Sequence, residues 1–446
     1  MNTIDALAKR LWQPAKQLAQ ENISYQTYLT ELSWLLWIKL IPTYSWLPYL
    51  PEGMNWQTLQ QKTGQEQLEF YQTLLETLSQ TYDSYTAGIF AQAQTQLTQT
   101  KHLSRIIYAL DDIGTVAPDE LGELYEKLLR YYARSDGSSS YVIPPAALVD
   151  VIMFVMQPQT GELIHDPLVG AGNFLVAAEH YVKITLDELV DSHVPIPLHN
   201  FIGMEQDLRW QRIALLNCFF NQLDNKGSLP VLWEDSLLAN RQALPPADVI
   251  FSMLVFANEQ HTPISNTSLA LLRHIYQTLK VGGRAAVVLP DKVLRAIGPA
   301  QQIRRELLNT CNVHTILRLP HGIFYPHSIP VHVLFFTRGE GTHHTWFYDL
   351  RSDLPSLGYH VQLSREHLVE FEHVYGEDPY GTAARQEDKT GRWKCFDRDY
   401  LTLQNDRLDI SWLQTDKDGE AEVKEFWEAL DMTMQELEKV KDILQL

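Results

Sequence analysis

The sequence predicts an α/β fold, in which a doubly wound, mostly parallel sheet follows an all-helical N-terminal domain and precedes a C-terminal helical tail. Three observations support this prediction: a strand, glycine turn and helix at 162–174, an alternation of strand-like and helix-like segments after it, and helical periodicity at both ends. The chain has 446 residues, enough for two or three domains. We place their limits at 1–115, 116–350 and 351–446.

The first 115 residues have the apolar spacing of amphipathic helices. Leu7, Leu11 and Leu18 share one face of a first helix, and a second helix is expected at about 25–41. A new helix is expected to open at Pro118, because proline has no N–H to lose at a first helical position. A further helix is expected from 146 to 156.

Strand-like and helix-like segments alternate from residue 162 to residue 337, which is the rhythm of βαβ units and predicts parallel pairing. The expected strands are 162–166, 201–205, 229–233, 247–252, 284–289, 313–319 and 331–337, the last a candidate for antiparallel pairing. The expected helices are 173–183, 207–222, 266–280 and 299–309. Gly282-Gly283 is typical of a helix stop, and residues 345–400 are expected to be irregular.

The glycine turn is the first candidate for a binding site. A short apolar strand ends at Asp166, and Gly170 and Gly172 then allow positive φ and a close approach to a ligand. The N-terminus of the following helix offers unpaired N–H groups. Leu175 stands where a dinucleotide fingerprint needs its third glycine, so a purely structural turn remains an alternative.

Two further carboxylates follow strands. Glu205 closes the second strand and Asp235 the third, beside Asp166 at the end of the first. A carboxylate after the second strand of a doubly wound sheet can accept hydrogen bonds from ribose hydroxyls, and one after the third can accept from a base amine. Solvated charge at strand ends is the alternative for each. Together with the glycine turn they favour a nucleoside cofactor.

The composition restricts the partners and the chemistry. The net charge is −19, whereas a protein that holds nucleic acid alone usually has a basic face, so another subunit or a local patch is expected to supply the cations. The three cysteines are far apart and no metal site is predicted. No signal peptide is expected, and the most apolar stretch, 33–41, is too short for a membrane span. A cytoplasmic location is expected.

The last 27 residues have heptad spacing typical of a helix that packs against other helices. The apolar positions are Val423, Phe426, Leu430, Thr433, Leu437, Val440 and Leu444. The rest of this helix is polar, so we expect 420–446 to need a partner.

At this point the sequence resembles a known family. Asp166-Pro-Leu-Val-Gly-Ala-Gly-Asn-Phe is similar to the S-adenosylmethionine loop of adenine-N6 DNA methyltransferases, specifically the modification subunit of type I restriction–modification systems. Similar segments occur in family order at 124–129, 203–207, 288–294, 319–324, 333–336 and 408–413. The resemblance implies a Rossmann-like S-adenosylmethionine-dependent methyltransferase sheet. It implies S-adenosylmethionine as cofactor, held by Asp166, Gly170, Gly172, Glu205 and Asp235.

The sequence departs from the family pattern in the catalytic loop and in a segment upstream of the glycine turn. The family's catalytic loop after the fourth strand reads Asn-Pro-Pro-Phe, and here Met253-Leu254-Val255-Phe256 stands in its place. The resemblance implies that the Asn side chain and a backbone carbonyl accept hydrogen bonds from the amine of a flipped adenine. A thioether is a very weak acceptor. Upstream, 142–145 lacks the threonine of the family's aromatic-Tyr-Thr-Pro segment.

The sequence therefore predicts a modification-subunit homologue that is catalytically impaired or inactive and acts as a structural or DNA-clamping subunit of a DNA modification or defence complex. Its expected partners are a DNA-specificity subunit or a paralogous methyltransferase, with duplex DNA bound by the complex. A basic cluster, Lys292, Arg295, Arg304 and Arg305, is the candidate DNA contact; solvated helix charge is its alternative.

Two other functions remain open. An active adenine-N6 methyltransferase with an unusual base pocket would need another acceptor, for which Ser252, Asn258 and Glu259 are the candidates. A nucleotide-dependent dehydrogenase on the same sheet is disfavoured by Leu175 and by the length of the family resemblance.

Overall fold

A computed structural model describes most of the chain. The described residues are 3–40, 52–81, 83–111, 113, 116–135, 142–189, 200–223, 228–239, 244–254, 266–324, 329–352, 354, 357–358 and 361–413. The C-terminal helix expected at 420–446 lies outside them. In the described part of the chain, no helix is both long enough and apolar enough to cross a membrane.

The N-terminal part is helical, as the apolar spacing predicts. Its helices are α1 (Thr3–Gln20), α2 (Tyr25–Leu40), α3 (Trp56–Gln61), α4 (Gly64–Ser79), α5 (Ser84–Ile89) and α6 (Thr100–Asp111). Helix α1 is amphipathic and buries Ala8, Leu11, Ala15 and Leu18 on one face. Helix α2 is buried on nearly all sides, which makes it the centre of this part of the fold.

The described residues that follow form one sheet of nine strands. They are β1 (Leu163–Asp166), β2 (Asn200–Glu205), β3 (Val231–Trp233), β4 (Ala247–Met253), β5 (Leu279–Pro290), β6 (Cys311–Arg318), β7 (Val331–Arg338), β8 (His344–Asp349) and β9 (Trp393–Asp397). Their spatial order is β3-β2-β1-β4-β5-β7-β6-β8-β9. Strands β1 to β5 are parallel, and β7 is antiparallel to both β5 and β6, as the sequence suggested.

Helices cover both faces of the sheet. They are α7 (Pro118–Ser135), α8 (Ala146–Met156), α9 (Asn173–Leu189), α10 (Leu208–Phe220), α11 (Asn266–Thr278), α12 (Asp291–Arg295), α13 (Pro299–Thr310), α14 (Val369–Tyr375) and α15 (Arg398–Leu403). Helix α10 also joins the sheet to the N-terminal helices: the Tyr85 hydroxyl donates to the carbonyl of Leu215 at 3.2 Å, and Trp37 contacts Phe219.

Two expectations about secondary structure are wrong. Residues 345–400 are not irregular, because β8, β9 and α14 lie in or across this range and extend the sheet beyond residue 350. Gly282-Gly283 does not stop α11, which ends at Thr278. The pair lies inside β5, where the pairing with β4 is irregular. A Cβ at Gly283 would lie 2.9 Å from the Asp248 carbonyl oxygen, so the close backbone approach explains this glycine.

Candidate cofactor and base site at the carboxyl edge of the sheet

The sheet topology brings the predicted site residues to one edge. Strands β3, β2, β1 and β4 are adjacent and parallel, so their carboxyl ends meet. Asp166 ends β1, Glu205 ends β2, Asp235 follows β3 and Met253 ends β4. This is the edge at which open α/β sheets bind ligands. We call Asp166, Gly170, Gly172, Glu205 and Asp235 the cofactor side of this edge, and Met253 and Leu254 the base side.

The glycine turn is held by hydrogen bonds to neighbouring elements. The Val169 N–H donates to the Met204 carbonyl on β2 at 3.1 Å, and the Gly172 N–H donates to the Val169 carbonyl at 2.8 Å. The Asn217 side-chain amide on α10 donates to the Ala171 carbonyl at 2.8 Å. The turn is therefore fixed before any ligand binds.

Both glycines of the turn have the left-handed backbone that favours glycine. The φ values are +53° at Gly170 and +82° at Gly172. A Cβ at Gly170 would meet no atom within 4 Å, so this residue faces open space, whereas Gly172 packs against Ala214. An open, positive-φ glycine beside a helix N-terminus is suited to a close ligand approach.

Asp166 is buried, and its carboxylate is partly satisfied by its own turn. One oxygen accepts the Leu168 N–H at 3.0 Å. Burial is the largest cause that raises the pKa of Asp166, to about 7; the nearby Glu205 carboxylate contributes to the rise, and the hydrogen bond from Leu168 opposes it. The carboxyl group therefore titrates near neutral pH.

The other two carboxylates are oriented in the same way. Glu205 is buried, and its Oε1 accepts the Asp207 N–H at 2.8 Å. Asp235 is half-buried, and its Oδ1 accepts the Leu237 N–H at 2.9 Å. In each case a main-chain N–H of the following turn holds one oxygen, which fixes the direction of the carboxylate at the strand end.

The base side of the edge is apolar. Met253 is half-buried and packs against the core, and Leu254 is fully buried. The Leu254 N–H already donates to the Val288 carbonyl at 2.7 Å. Val255 and Phe256 lie outside the described residues, as do Asn258 and Glu259. The Ser252 hydroxyl is fully buried and lies beside Asp166, away from solvent.

A cleft of about 290 Å³ lies next to this edge, between α7, α8, α9 and α10. Ile143 and Pro144 line it, and so does Asn173, the first residue of α9. None of the residues of the cofactor side lines it. The cleft therefore neighbours the predicted cofactor site and does not coincide with it.

The basic cluster predicted as a DNA contact is mostly engaged within the protein. Arg304 is buried and donates to the carbonyls of Asp406 and Val293, both at 2.8 Å, so it is not available to a phosphate. Arg305 pairs with the buried Asp406 carboxylate at 2.8 Å. Arg295 pairs with Asp291 at 2.5 Å.

Lys292 is half-buried. The expected phosphate contact is therefore contradicted for Arg304. Arg295 is half-buried and Arg305 is exposed, so for Lys292, Arg295 and Arg305 the DNA contact stays a prediction.

Sequence reasoning missed two residues that hold the site. Asn217 binds the glycine turn from α10, and the Ser236 hydroxyl donates to the Pro167 carbonyl. Neither belongs to a local motif, because each acts through tertiary packing. The position of Asn217 within the apolar run 213–220 of α10 is the signal that the sequence offered.

A sequence model of the N-6 DNA Methylase family matches residues 116–411. The methylase subunit of the type I restriction enzyme EcoKI from Escherichia coli (strain K12) is 35% identical over 478 residues, covering 94% of this chain and 89% of that protein. The StySPI methylase subunit of Salmonella potsdam has the same identity and coverage. The chain belongs to the N-6 DNA methylase family. Its similarity to the methylase subunits of type I restriction enzymes, expected from the motifs, is confirmed.

Solved structures from type I restriction–modification systems agree with the fold. The crystal structure of the EcoKI M protein is 30% identical, with a TM-score of 0.55, and the match covers 97% of this chain and 96% of that one. A chain from a type I R-M system superimposes with a TM-score of 0.72 at 21% identity, covering 99% of each chain. The predicted Rossmann-like methyltransferase sheet with a helical N-terminal domain is confirmed.

Proposed function

We propose that this N-6 DNA methylase family member is impaired or inactive in methyl transfer and acts as a structural, DNA-clamping subunit beside a DNA-specificity subunit or a paralogous methyltransferase. The observation that carries the proposal is the apolar base side: Met253 is half-buried and Leu254 is fully buried at the end of β4. The net charge of −19 supports a chain that holds DNA as part of a complex.

Methyl transfer to an adenine amine needs acceptors that orient the nitrogen and stabilise its developing positive charge. The Met253 thioether is a very weak acceptor, and Leu254 offers hydrocarbon. Loss of one preorganised polar contact of this kind costs roughly 10²–10³ in rate. Loss of the proline geometry adds to this cost, so the turnover expected from this site is very low.

The cofactor side fits S-adenosylmethionine better than the base side fits adenine. Gly170 leaves open space beside the turn, and Glu205 and Asp235 each keep a fixed carboxylate for hydroxyl or amine donors. These residues, with Gly172 and Asp166, would hold the cofactor, which supplies a sulfonium methyl group when bound. The retained geometry supports cofactor binding without efficient transfer.

The alternative is an active adenine-N6 methyltransferase with an unusual base pocket. Of its three candidate acceptors, Ser252 is disfavoured, because its hydroxyl is fully buried beside Asp166. Asn258 and Glu259 lie outside the described residues, so the alternative is tested by substituting these two residues.

The test is a methylation assay on the assembled complex. The chain and the proteins encoded beside it are incubated with labelled S-adenosylmethionine and host DNA, with and without this chain. When the DNA-specificity subunit is the only other protein present, so that no paralogous methyltransferase contributes, we expect no N6-methyladenine. Robust methylation that disappears with the chain, and falls when Asn258 or Glu259 is replaced by alanine, would establish the alternative. Calorimetry with S-adenosylmethionine measures cofactor binding separately.

A further inference from the structure

The outward face of α1 is basic, although the chain as a whole is acidic. Its exposed residues up to position 17 are Ala6, Lys9, Arg10, Gln13, Lys16 and Gln17. The carboxylate of this helix, Asp5, lies in the first turn and is paired with Lys127 of α7 at 2.7 Å. The exposed stripe itself therefore carries positive charge and amide groups.

Helix α6 extends this stripe. Lys101 is exposed, and both Lys101 and Arg105 form ion pairs with Glu21, which follows the last turn of α1. These cations, Lys101 first, lower the pKa of Glu21 to about 2. Tyr108, one turn beyond Arg105, is 76% exposed. We define the basic face as Lys9, Arg10, Lys16, Lys101 and Arg105, with Glu21 as the carboxylate that lies among them.

The basic face is fixed to the sheet domain. Near the start of α1, Asp5 pairs with Lys127 of α7. Farther along both helices, the Trp12 indole N–H donates to the Ser135 hydroxyl at 3.1 Å, and the Trp12 ring stacks on the Tyr131 ring. Helix α1 therefore runs parallel to α7. Both are long helices with buried inner faces, so the basic face cannot move independently of α7.

This orientation directs the second half of α1 toward the C-terminal end of α7. Helix α7 and the segment 143–144 line the same cleft as Asn173, where the glycine turn enters α9. Since α1 follows α7 in the same direction, Lys16 lies nearer than Lys9 to the end of α7 from which the chain continues to 143–144. The basic face and the carboxyl edge of the sheet are thus connected through α7.

We propose that the basic face binds the phosphate backbone of duplex DNA. Lys9 and Lys16 are seven residues apart, about 10.5 Å along a helix. Measured along the axis of the duplex, this distance is about three base-pair steps, at roughly 3.4 Å each. Gln13 and Gln17 lie between and beside them and can donate to phosphate oxygens. Such contacts position DNA and carry no sequence information. The proposal rests on the proposed DNA-clamping function and names the surface that performs it.

Neutralising the two lysines tests the proposal. Lys9→Gln with Lys16→Gln keeps helix propensity and leaves the ion pairs of Glu21 intact. The full chain, assembled with the specificity subunit encoded beside it, is titrated against a fluorescein-labelled duplex at roughly 50 to 200 mM salt. We expect the slope of log affinity against log salt to become shallower by about 1.8, at roughly 0.9 per lost contact, and affinity at the lowest salt to fall roughly 10-fold or more.

Lys389→Gln is the matched control, because Lys389 is an exposed lysine in a distant loop. Its slope should equal that of the unchanged complex. Equal slopes for the double variant and the control, or no duplex binding by the unchanged complex, would overturn the proposal. The methylation assay is a separate readout, so detection of activity would reject the proposed impairment without deciding whether the basic face binds DNA.

Discussion

The cofactor side and the base side of the same sheet edge differ in what holds their residues. On the cofactor side, main-chain N–H groups of the following turns orient Asp166, Glu205 and Asp235. On the base side, Met253 and Leu254 are held by burial and by a strand hydrogen bond. In the function that we propose, the first arrangement serves both folding and cofactor binding, whereas the second serves folding alone. Apolar substitutions at the end of β4 can therefore remove the hydrogen-bond acceptors of the base side without changing the carboxylates of the cofactor side.

The largest effect is expected from rebuilding the base side. Met253→Asn combined with Leu254→Pro and Val255→Pro restores the family sequence Asn-Pro-Pro-Phe. We expect chain-dependent N6-methyladenine to rise by at least roughly 10²-fold, because preorganised acceptors for the amine return. The new proline removes the Leu254 N–H bond to Val288, so the protein is expected to lose about 1 kcal/mol of stability.

Two controls make the rebuilt loop informative. Adding Gly170→Val should abolish the gain, because a β-branched residue is strained at a φ of +53° and would obstruct the cofactor side. If the rebuilt chain binds S-adenosylmethionine by calorimetry and still transfers no methyl group, the three substituted side chains are not what limits the reaction.

The next largest effect is expected on protein stability, at Arg304 and Arg305 of the predicted basic cluster. Arg304→Ala should destabilise the protein by about 2–4 kcal/mol, because it leaves the carbonyls of Asp406 and Val293 without their donors and opens a cavity. Arg305→Ala removes a more exposed ion pair and should cost less than about 1 kcal/mol. Chemical denaturation measures both. A similar cost for the two variants would show that the buried contacts of Arg304 do not carry this part of the fold.

The contrast between these arginines explains what the sequence could predict. The glycine turn, the strand ends and the helix at Pro118 follow from local patterns, and the structure places them as expected. Arg304 and Arg305 look alike in sequence, and only the fold brings Asp406 against them across about a hundred residues. The same holds for Asn217 on the glycine turn and for Gly283 in β5, whose roles depend on contacts with distant elements.

The titration of Asp166 provides a third, smaller test. Burial raises the pKa of Asp166 in the folded protein to about 7, above its ordinary value of 3.8. Because the folded state binds this proton more tightly than the unfolded state, the resulting stability is fully present below about pH 4 and is lost as the pH rises through 7. In the cofactor-free protein, Asp166→Asn should remove this dependence. The free energy of unfolding of the variant, relative to the unchanged protein, should increase by on the order of 2 kcal/mol between pH 5 and pH 8.

Glu31 in α2 is a useful comparison, because it is remote in the fold and burial also raises its pKa to about 7. Glu31→Gln should reduce the pH dependence in the same direction, and the two variants should add if the sites are independent. Parallel stability curves for the unchanged protein and Asp166→Asn would mean that Asp166 does not titrate in this range.

The smallest effect is expected at the glycine turn itself. Gly170→Ala forces a Cβ onto a backbone with a φ of +53°, which should cost about 1 kcal/mol in stability, although the added carbon meets no protein atom. Gly64→Ala is its matched control, because Gly64 has a φ of +59° and the same open surroundings at the start of α4. The two variants should therefore lose similar stability, while only Gly170→Ala should weaken S-adenosylmethionine binding in calorimetry. Equal cofactor affinities would place the ligand away from this turn, and the cofactor side would then be as purely structural as the base side.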